Sequence, residues 1–314
     1  MSFTSETREE IVRVEPVCDN CDFATLSALI RIDGTIFLSG SGRYRIEIST
    51  DFASVGRFVV QKLHDIYNLR TSISYRQSVL HHTRNYQIDV PYQENIQLAL
   101  TELGILGENN SLERGIAKHL IQNKCCKTAY LRGAFLGSGF IAGPRSGHHL
   151  EIVLNSEQIA HDVISLLNNL DIKARIAKRR NNFMIYMKSG NEIVKFLARI
   201  GAQNSALALE QVRAYKSLRN DVNRAINAEI ANTNRTTSAS IEQLTAIETI
   251  LKNRKLEDLP PAIRDFIKLR TSHPDLSLKE LGEVADPPLS KSGISNRCRR
   301  TMQLAQEYLQ NTLK

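Results

Sequence analysis

Apolar and polar residues follow one another along the chain as helix-like and strand-like segments, in an order that occurs twice. In the first occurrence, residues 22–32 form an apolar stretch of helical length, and residues 44–49 alternate in polarity as a strand does. Asp51 is then predicted to cap an amphipathic helix. The remaining predicted elements of this part are strands near 71–77 and 84–90 and a helix over 92–103. The second occurrence is predicted to contain a strand at 150–154, a helix over 156–168, strands near 172–179 and 183–188, and a helix over 191–200.

Each occurrence begins with a similar stretch, Leu26 to Ile36 in the first and Leu131 to Ile141 in the second. Both stretches are typical of a buried helix that ends at a glycine before a strand begins. Asp33 of the first corresponds to Ser138 of the second, and the later elements keep their order, which indicates duplication of one structural unit. A carboxylate at such a helix end can bind a metal ion, whereas a serine is a poor ligand for a hard cation.

Small residues on both opening helices predict that the two helices contact each other closely. These residues are Ala24 and Ala28 in the first helix and Gly133 and Gly137 in the second. The alternative is that each helix is simply buried against its own sheet.

The charge balance of the chain favours a polyanionic partner. Its 314 residues carry a formal net charge of +8, which suits nucleic acid or an anionic membrane surface, although general solubility is the simpler explanation. Apolar runs of membrane-spanning length and a hydrophobic signal segment are both missing, so we expect a cytoplasmic protein with no membrane partner.

The chain contains five cysteines, namely Cys18, Cys21, Cys125, Cys126 and Cys298. An odd and sparse set argues against a disulfide framework. The Cys18-x-x-Cys21 spacing is that of half a zinc site, but adjacent cysteines are an awkward second pair, and we expect reduced cysteines and no metal site or cofactor.

After Gly201 the pattern becomes helical. We predict a helical linker over residues 205–240 with a polar, asparagine-rich part, followed by a separate helix from Ile241 to Leu251. Further helices are predicted from Pro260-Pro261, after a Ser277 capping box, and after Ser290. A short helix, a turn and a longer helix constitute the helix-turn-helix arrangement.

The predicted last helix carries four bases and no acid between residues 290 and 300. In helix-turn-helix proteins the early residues of this helix contact base edges in the major groove, and Arg and Asn suit such contacts. A small helical bundle with a charged face is the alternative. The predicted DNA-binding residues are Ser277, Lys279, Lys291, Ser292, Ser295, Asn296, Arg297, Arg299 and Arg300.

A second basic cluster follows a predicted strand, where Lys173, Arg175 and Arg179 would share one face. Such a face could neutralise phosphates, and an ordinary solvated face is an equally good interpretation. The full cluster consists of Lys173, Arg175, Lys178, Arg179 and Arg180.

The duplicated stretches resemble degenerate LAGLIDADG motifs of homing endonucleases. The resemblance implies two motif helices at a pseudo-twofold axis, with a curved antiparallel sheet in each half and both sheets astride DNA. In that family the acid before the motif glycine binds the divalent cation that supports cleavage. Asp33 matches that acid and Ser138 does not, while Arg31 and Leu136 occupy the places of the other motif acid. Cleavage needs carboxylates on both sides of the scissile phosphate, so we expect no catalytic residues and regard Asp33 and Ser138 as vestigial positions.

Two degenerate motifs followed by a helix-turn-helix resemble the WhiA family over essentially the whole chain. Matching segments are Leu278 to Glu283, Pro287 to Gly293 and the asparagine-rich Asn223 to Thr236. The resemblance implies a bacterial DNA-binding regulator linked to sporulation septation, cell division or chromosome segregation, whose nuclease activity has been lost.

The expected fold class is therefore α+β, with a pseudo-twofold LAGLIDADG homing-endonuclease-like domain and an all-α helix-turn-helix domain. The predicted segments are 1–106 (first half), 107–129 (connector, with a helical piece around 112–122), 130–204 (second half), 205–240 (helical linker) and 241–314 (helix-turn-helix domain).

The expected function is non-enzymatic transcriptional regulation in the cytoplasm, at the nucleoid. Double-stranded DNA is the expected partner, and another transcription regulator or RNA polymerase is a further candidate. The alternatives are an active site-specific LAGLIDADG nuclease and an RNA-binding, maturase-like splicing cofactor.

Overall fold

The computed structural model describes residues 2–39, 43–77, 84–107 and 109–312. The chain divides into two compact units, Met1–Tyr215 and Lys216–Lys314. None of the described helices has both the length and the apolar character needed to cross a membrane.

The first unit begins with a helix that sequence analysis did not predict, α1 (Phe3–Val12), and continues with the first copy of the duplicated unit. That copy consists of α2 (Asn20–Asp33), β1 (Gly34–Ser39), β2 (Arg43–Thr50), α3 (Ala53–Tyr67), β3 (Ser72–Gln77), β4 (Arg84–Val90) and α4 (Asn95–Glu102). Its strands form an antiparallel sheet in the order β1-β2-β4-β3.

The second copy repeats this plan. It consists of α5 (Lys124–Ser138), β5 (Gly139–Ile141), β6 (Leu150–Leu154), α6 (Glu157–Asn169), β7 (Arg175–Arg179), β8 (Asn182–Met187) and α7 (Gly190–Ile200). Its sheet has the order β5-β6-β8-β7, which matches the first sheet strand for strand. The structure thus confirms the duplication and the α+β class.

The motif helices α2 and α5 contact each other closely, as their small residues predict. A Cβ atom on Gly133 would lie 2.3 Å from the carbonyl oxygen of Thr25 and 2.8 Å from the Ala28 Cβ, so only glycine allows this approach. Thr25 Oγ1 also donates a hydrogen bond to the carbonyl of Ala129 across the pair, at 3.2 Å. Leu29 of α2 and Phe135 of α5 are fully buried in the core of this unit.

Two local predictions in this unit are wrong. Asp51 does not cap α3, because Phe52 occupies the N-cap position and the Asp51 carboxylate accepts a hydrogen bond from Asn85 instead. The helical piece expected at 112–122 is only a short 3-10 turn, Lys118–Ile121, and α5 already begins at Lys124, inside the predicted connector.

The second unit is all-helical. Its helices are the C-terminal part of α8 (Gln203–Asn253), then α9 (Pro261–Ser272), α10 (Leu278–Glu283) and α11 (Lys291–Thr312). The predicted separate helix from Ile241 is wrong, because α8 continues through the asparagine-rich segment without a break. Val222, Ile226 and Ile230 recur there at helical spacing and are exposed, but the many Asn and Thr residues between them have low helical propensity and resemble a linker in composition.

The core of the second unit joins all four helices. Its buried side chains include Ile247, Ile250, Phe266, Leu281 and Ile294. The buried Arg270 guanidinium donates to Gln243 Oε1 at 2.9 Å and to the carbonyl of Leu276 at 2.6 Å, so it ties α9 to α8 and to the loop before α10.

Candidate nucleic-acid interface

The N-terminal ends of α10 and α11 are fixed by local hydrogen bonds that the sequence predicted. Ser277 and Glu280 form a capping box at the start of α10, with each side chain accepting from the other residue's backbone N–H. Ser290 Oγ accepts from the N–H of Gly293 at 3.2 Å at the start of α11. A Cβ on Gly282 would lie 2.4 Å from the carbonyl oxygen of Leu289, so this glycine lets the turn fold back onto α10.

The first half of α11 presents a continuous polar surface, which we call the α11 face. Ile294 and Cys298 are buried on the opposite side of the helix. The α11 face consists of the exposed residues Lys291, Ser292, Ser295, Asn296, Arg299 and Arg300. Asn296 Oδ1 accepts from Arg299 Nη2 at 2.9 Å, which orients the two side chains that best suit base edges.

Three residues predicted with this set have other contacts. Arg297 is half-buried, and its Nη1 lies 3.2 Å from Asp265 Oδ2 of α9. The Ser277 hydroxyl is used in the capping box, and Lys279 lies 3.7 Å from Glu283 on the exposed side of α10. The structure therefore separates the α11 face from Arg297 and Ser277, whose side chains contact the rest of the fold, and from Lys279, which is exposed on α10.

The basic cluster of the second sheet lies mainly on the edge strand β7. Arg175 and Arg179 alternate with Ile176 and Lys178, so Arg175 and Arg179 point to the same side, as predicted. Lys173 precedes the strand and is exposed. Lys178 does not share that face, because it points to the other side and its Nζ lies 5.4 Å from the centre of the Phe183 ring.

Arg180 follows β7 in the turn to β8, where its positive φ of 55° takes it out of the strand pattern. The first sheet carries a related polar face that sequence analysis did not single out. Arg43, Arg45 and Arg76 are exposed there, and Arg45 pairs with Asp89. The period-2 alternation of β2 is the signal that could have revealed this face.

The C-terminal ends of α2 and α5 form the place where the LAGLIDADG resemblance expects metal-binding acids. Asp33 ends α2 and Ser138 ends α5, and the glycine after each is the C-cap. Ser138 Oγ is buried and has no hydrogen-bond partner in the described part of the chain. Asp33 lines a pocket of about 360 Å³ together with Arg8, Asp51 and Asn85.

A basic side chain from α1 occupies this place. Arg8 is 5% exposed, and its Nη2 donates to the carbonyls of Gly137 at 3.2 Å and Gly139 at 2.8 Å. Its guanidinium carbon lies 3.9 Å from the centre of the Phe52 ring. No local sequence pattern marks Arg8, because its contacts join residues about 130 positions apart.

The electrostatics of the pocket disfavour a charged carboxylate at Asp33. Burial raises the pKa of Asp33 from 3.8 to about 7, and the repulsion of Asp51 adds to this, although the nearby Arg8 charge acts in the opposite direction. Burial also lowers the pKa of Arg8 to about 10, so the guanidinium stays positive at neutral pH. The pocket thus already holds one cation beside a weakly acidic Asp33.

The cysteines lie closer together than the sequence suggested. The sulfur atoms of Cys18, Cys21, Cys125 and Cys126 all lie within 4.8 Å of one another. The objection that Cys125 and Cys126 are badly placed to complete a set with Cys18-x-x-Cys21 is therefore wrong. Cys298 belongs to the second unit, where it is buried in the helix-turn-helix core.

Three family models match the chain. The WhiA N-terminal LAGLIDADG-like domain matches residues 19–106, the WhiA LAGLIDADG-like domain matches 127–219, and the WhiA C-terminal HTH domain matches 222–305. The last match begins within α8, upstream of the helix-turn-helix itself.

Relatives over nearly the full length carry the same family name. The probable cell division protein WhiA of Alkaliphilus metalliredigens is 36% identical over 309 residues, which cover 97% of this chain and 98% of the relative. That of Desulforamulus reducens is 37% identical over 309 residues, covering 98% and 96%. The crystal structure of full-length DUF199/WhiA from Thermatoga maritima has a TM-score of 0.61 and 27% identity, and covers 98% of this chain and 99% of that one.

Proposed function

The chain belongs to the WhiA family, and from this we propose that it is a non-enzymatic regulator that binds double-stranded DNA through its helix-turn-helix. The α11 face carries the proposal. It combines three bases, two hydroxyls and an amide on the exposed side of a capped second helix, with no acid between residues 290 and 300. This composition suits contacts with base edges and phosphates in the major groove.

The cellular role that we propose is control of genes for cell division, chromosome segregation or sporulation septation, exercised in the cytoplasm at the nucleoid. The relatives are called probable cell division proteins, which supports the first of these roles. Another transcription regulator or RNA polymerase is a suitable protein partner for such a role.

Two variants of the intact chain test the DNA-binding role. Genome-wide occupancy of the wild type first identifies a bound DNA sequence. The affinity for that duplex is then measured for two double variants, Arg299→Ala/Arg300→Ala and Lys252→Ala/Arg254→Ala. Both variants remove two exposed positive charges from the same unit, so the second controls for general electrostatics. We expect at least about a tenfold loss for the first variant only, since each good base contact contributes about 1–3 kcal/mol. Equal losses would contradict specific recognition by α11.

The same duplex separates the proposal from an RNA-binding function. At matched salt, the wild type should prefer the occupied duplex over structured RNA of similar length. A strong preference for RNA would instead support a maturase-like splicing cofactor.

We further propose that the site at the C-terminal ends of α2 and α5 does not cleave DNA. Ser138 replaces one carboxylate, the raised pKa of Asp33 weakens the other as a ligand, and the Arg8 guanidinium repels a second cation. Supercoiled plasmid should therefore stay intact with the wild type in Mg²⁺ or Mn²⁺. If the wild type cleaves the plasmid and Asp33→Ala does not, the nuclease alternative is supported instead.

A further inference from the structure

Four cysteine sulfurs meet where the two motif helices begin. Cys18 precedes α2 and Cys21 lies in its first turn, while Cys125 and Cys126 lie in the first turn of α5. The N–H of Cys21 donates to the carbonyl of Cys18 at 2.9 Å, a turn that brings both side chains to the same side. Two segments more than 100 residues apart thus supply two ligand atoms each.

From this arrangement we propose that Cys18, Cys21, Cys125 and Cys126 bind a single structural Zn²⁺ ion. Zinc in such sites is tetrahedral with Zn–S bonds of about 2.3 Å, which places the sulfurs of a tetrahedron about 3.8 Å apart. Cys18 Sγ lies 3.5 Å from each of the other three sulfurs, and Cys125 Sγ lies 3.9 Å from Cys126 Sγ. Every pair among the four sulfurs lies within 4.8 Å, so small side-chain shifts bring all of them to this spacing around one point.

A disulfide fits the geometry less well. It would join two sulfurs at about 2.05 Å, yet Cys18 is equally distant from three possible partners. Ordinary core packing does not account for the cluster either, because Cys18 and Cys125 are only half-buried. Thiol sulfurs that converge on one point from two segments of the chain form the usual donor set of a structural zinc site.

The spacing also favours one ion over an iron–sulfur cluster. In an iron–sulfur cluster at least some of the cysteines bind different iron atoms, and their sulfurs lie further apart than the 4.8 Å within which every pair lies here. Four thiolates around one centre select zinc or iron among common metals, and zinc is the usual ion in closed sites of this kind. Lys124 and Lys127 flank the adjacent cysteines and offset the negative charge of a tetrathiolate zinc.

The ion would act as a clamp between the two copies of the duplicated unit. It would join the N-terminal ends of α2 and α5, whereas Asp33 and Ser138 end the same helices. With 14 residues, α2 is about 20 Å long, so the proposed zinc site lies far from the pocket that Asp33 lines at the other end of the helix. All four ligands come from the protein, which leaves no open position for catalysis. The proposal is independent of DNA binding.

Metal analysis of the purified intact chain tests the proposal directly. We expect one zinc ion per chain by inductively coupled plasma mass spectrometry after expression with zinc and iron both supplied. Cys18→Ser/Cys126→Ser should lose the zinc, whereas the matched variant Cys298→Ser should keep it, because Cys298 lies in the other unit. The proposal would be overturned if the purified chain contained no zinc or contained one iron instead. It would also be overturned if rapid alkylation revealed a disulfide among the four cysteines.

A second measurement uses only the wild type, so that it does not depend on whether the variants fold. Zinc is removed with a chelator and replaced by Co²⁺ under reducing conditions. We expect intense visible bands of tetrahedral cobalt and thiolate-to-cobalt charge transfer in the near ultraviolet, both abolished by adding equimolar Zn²⁺. Weak bands of octahedral cobalt would contradict a four-sulfur site.

Discussion

Arg8 Nη2 lies 2.8 Å from the carbonyl oxygen of Gly139, the residue that follows the second motif helix. The last carbonyls of a helix have no partner within the helix, and Arg8 satisfies two of them here. A helix from outside the duplicated unit thus closes the end of α5 with a positive charge, at the place where a nuclease of this fold would need its cations.

We expect Arg8→Met to destabilise the first unit, because two carbonyls at the end of α5 would lose their donor. The predicted loss is about 1–3 kcal/mol in the free energy of unfolding, measured in urea. Arg13→Met is the control, since that arginine follows the same helix and its side chain is 80% exposed. Similar losses for both variants would contradict the role assigned to the buried guanidinium.

Asp33 should make stability depend on pH in an unusual direction. Its pKa in the native state is raised from 3.8 to about 7 by burial, so between these values the native state holds a proton that the unfolded chain releases. The stability contributed by the protonated carboxyl is complete below about pH 4 and is lost as pH rises to about 7.

The comparison of Asp33→Asn with the wild type isolates this effect. The asparagine variant should gain stability relative to the wild type between about pH 4 and pH 8, by roughly 2 kcal/mol after allowance for partial solvent exposure. Urea unfolding at both pH values measures the gain. Asp171→Asn, at a carboxylate that is 94% exposed, should show no such trend, and a flat difference for Asp33→Asn would contradict the raised pKa.

Because α2 and α5 contact each other closely, alanine substitutions at two glycines of α5 should lower the free energy of unfolding by different amounts. Gly133→Ala would place its Cβ 2.3 Å from the backbone oxygen of Thr25, which cannot move without separating the helices. The loss of unfolding free energy should be at least about 2 kcal/mol. Gly137→Ala meets the Ile32 side chain at 3.0 Å, which can shift, and alanine favours helix by about 1 kcal/mol. Thermal unfolding should therefore show a much smaller change for Gly137→Ala.

Local periodicity predicted most of the first unit because its elements are strongly patterned. The strands Arg84–Val90 and Leu150–Leu154 have the bounds that alternation predicted, and Gly201 ends α7 in the left-handed region, with φ of 98°. The Ser277 capping box and the turn before α11 were also predicted from the sequence and are confirmed.

The features that the sequence did not predict depend on distant contacts or lack a pattern. Arg8 and the four-cysteine cluster need residues more than 100 positions apart to meet. The continuity of α8 was missed because its exposed polar segment resembles a linker in composition. Arg297 has the same local pattern as its neighbours, and only the position of α9 shows that it faces Asp265.

Arg297 should therefore contribute to the fold more than to base recognition. In a double-mutant cycle of Arg297→Ala with Asp265→Ala, we expect a coupling free energy of less than about 1 kcal/mol, since the pair is partly solvent-exposed. Arg297→Ala should leave discrimination among single base-pair changes in the bound duplex unaltered. A loss of 1–3 kcal/mol at one base pair, about the size of a direct contact, would instead show that Arg297 leaves Asp265 to read a base.

The second sheet offers a test of whether the LAGLIDADG-like part of the chain contacts DNA. If Arg175 contacts a phosphate, Arg175→Ala should weaken binding to all sequences alike and make the slope of log affinity against log salt shallower by about 0.9. Lys178→Ala is the matched control, because it removes one charge from the same strand on the opposite face. Fluorescence anisotropy over a range of salt concentrations measures both slopes. Equal slopes for Arg175→Ala and the wild type would show that Arg175 does not contact a phosphate. The face of β7 that carries Arg175 would then be an ordinary solvated surface.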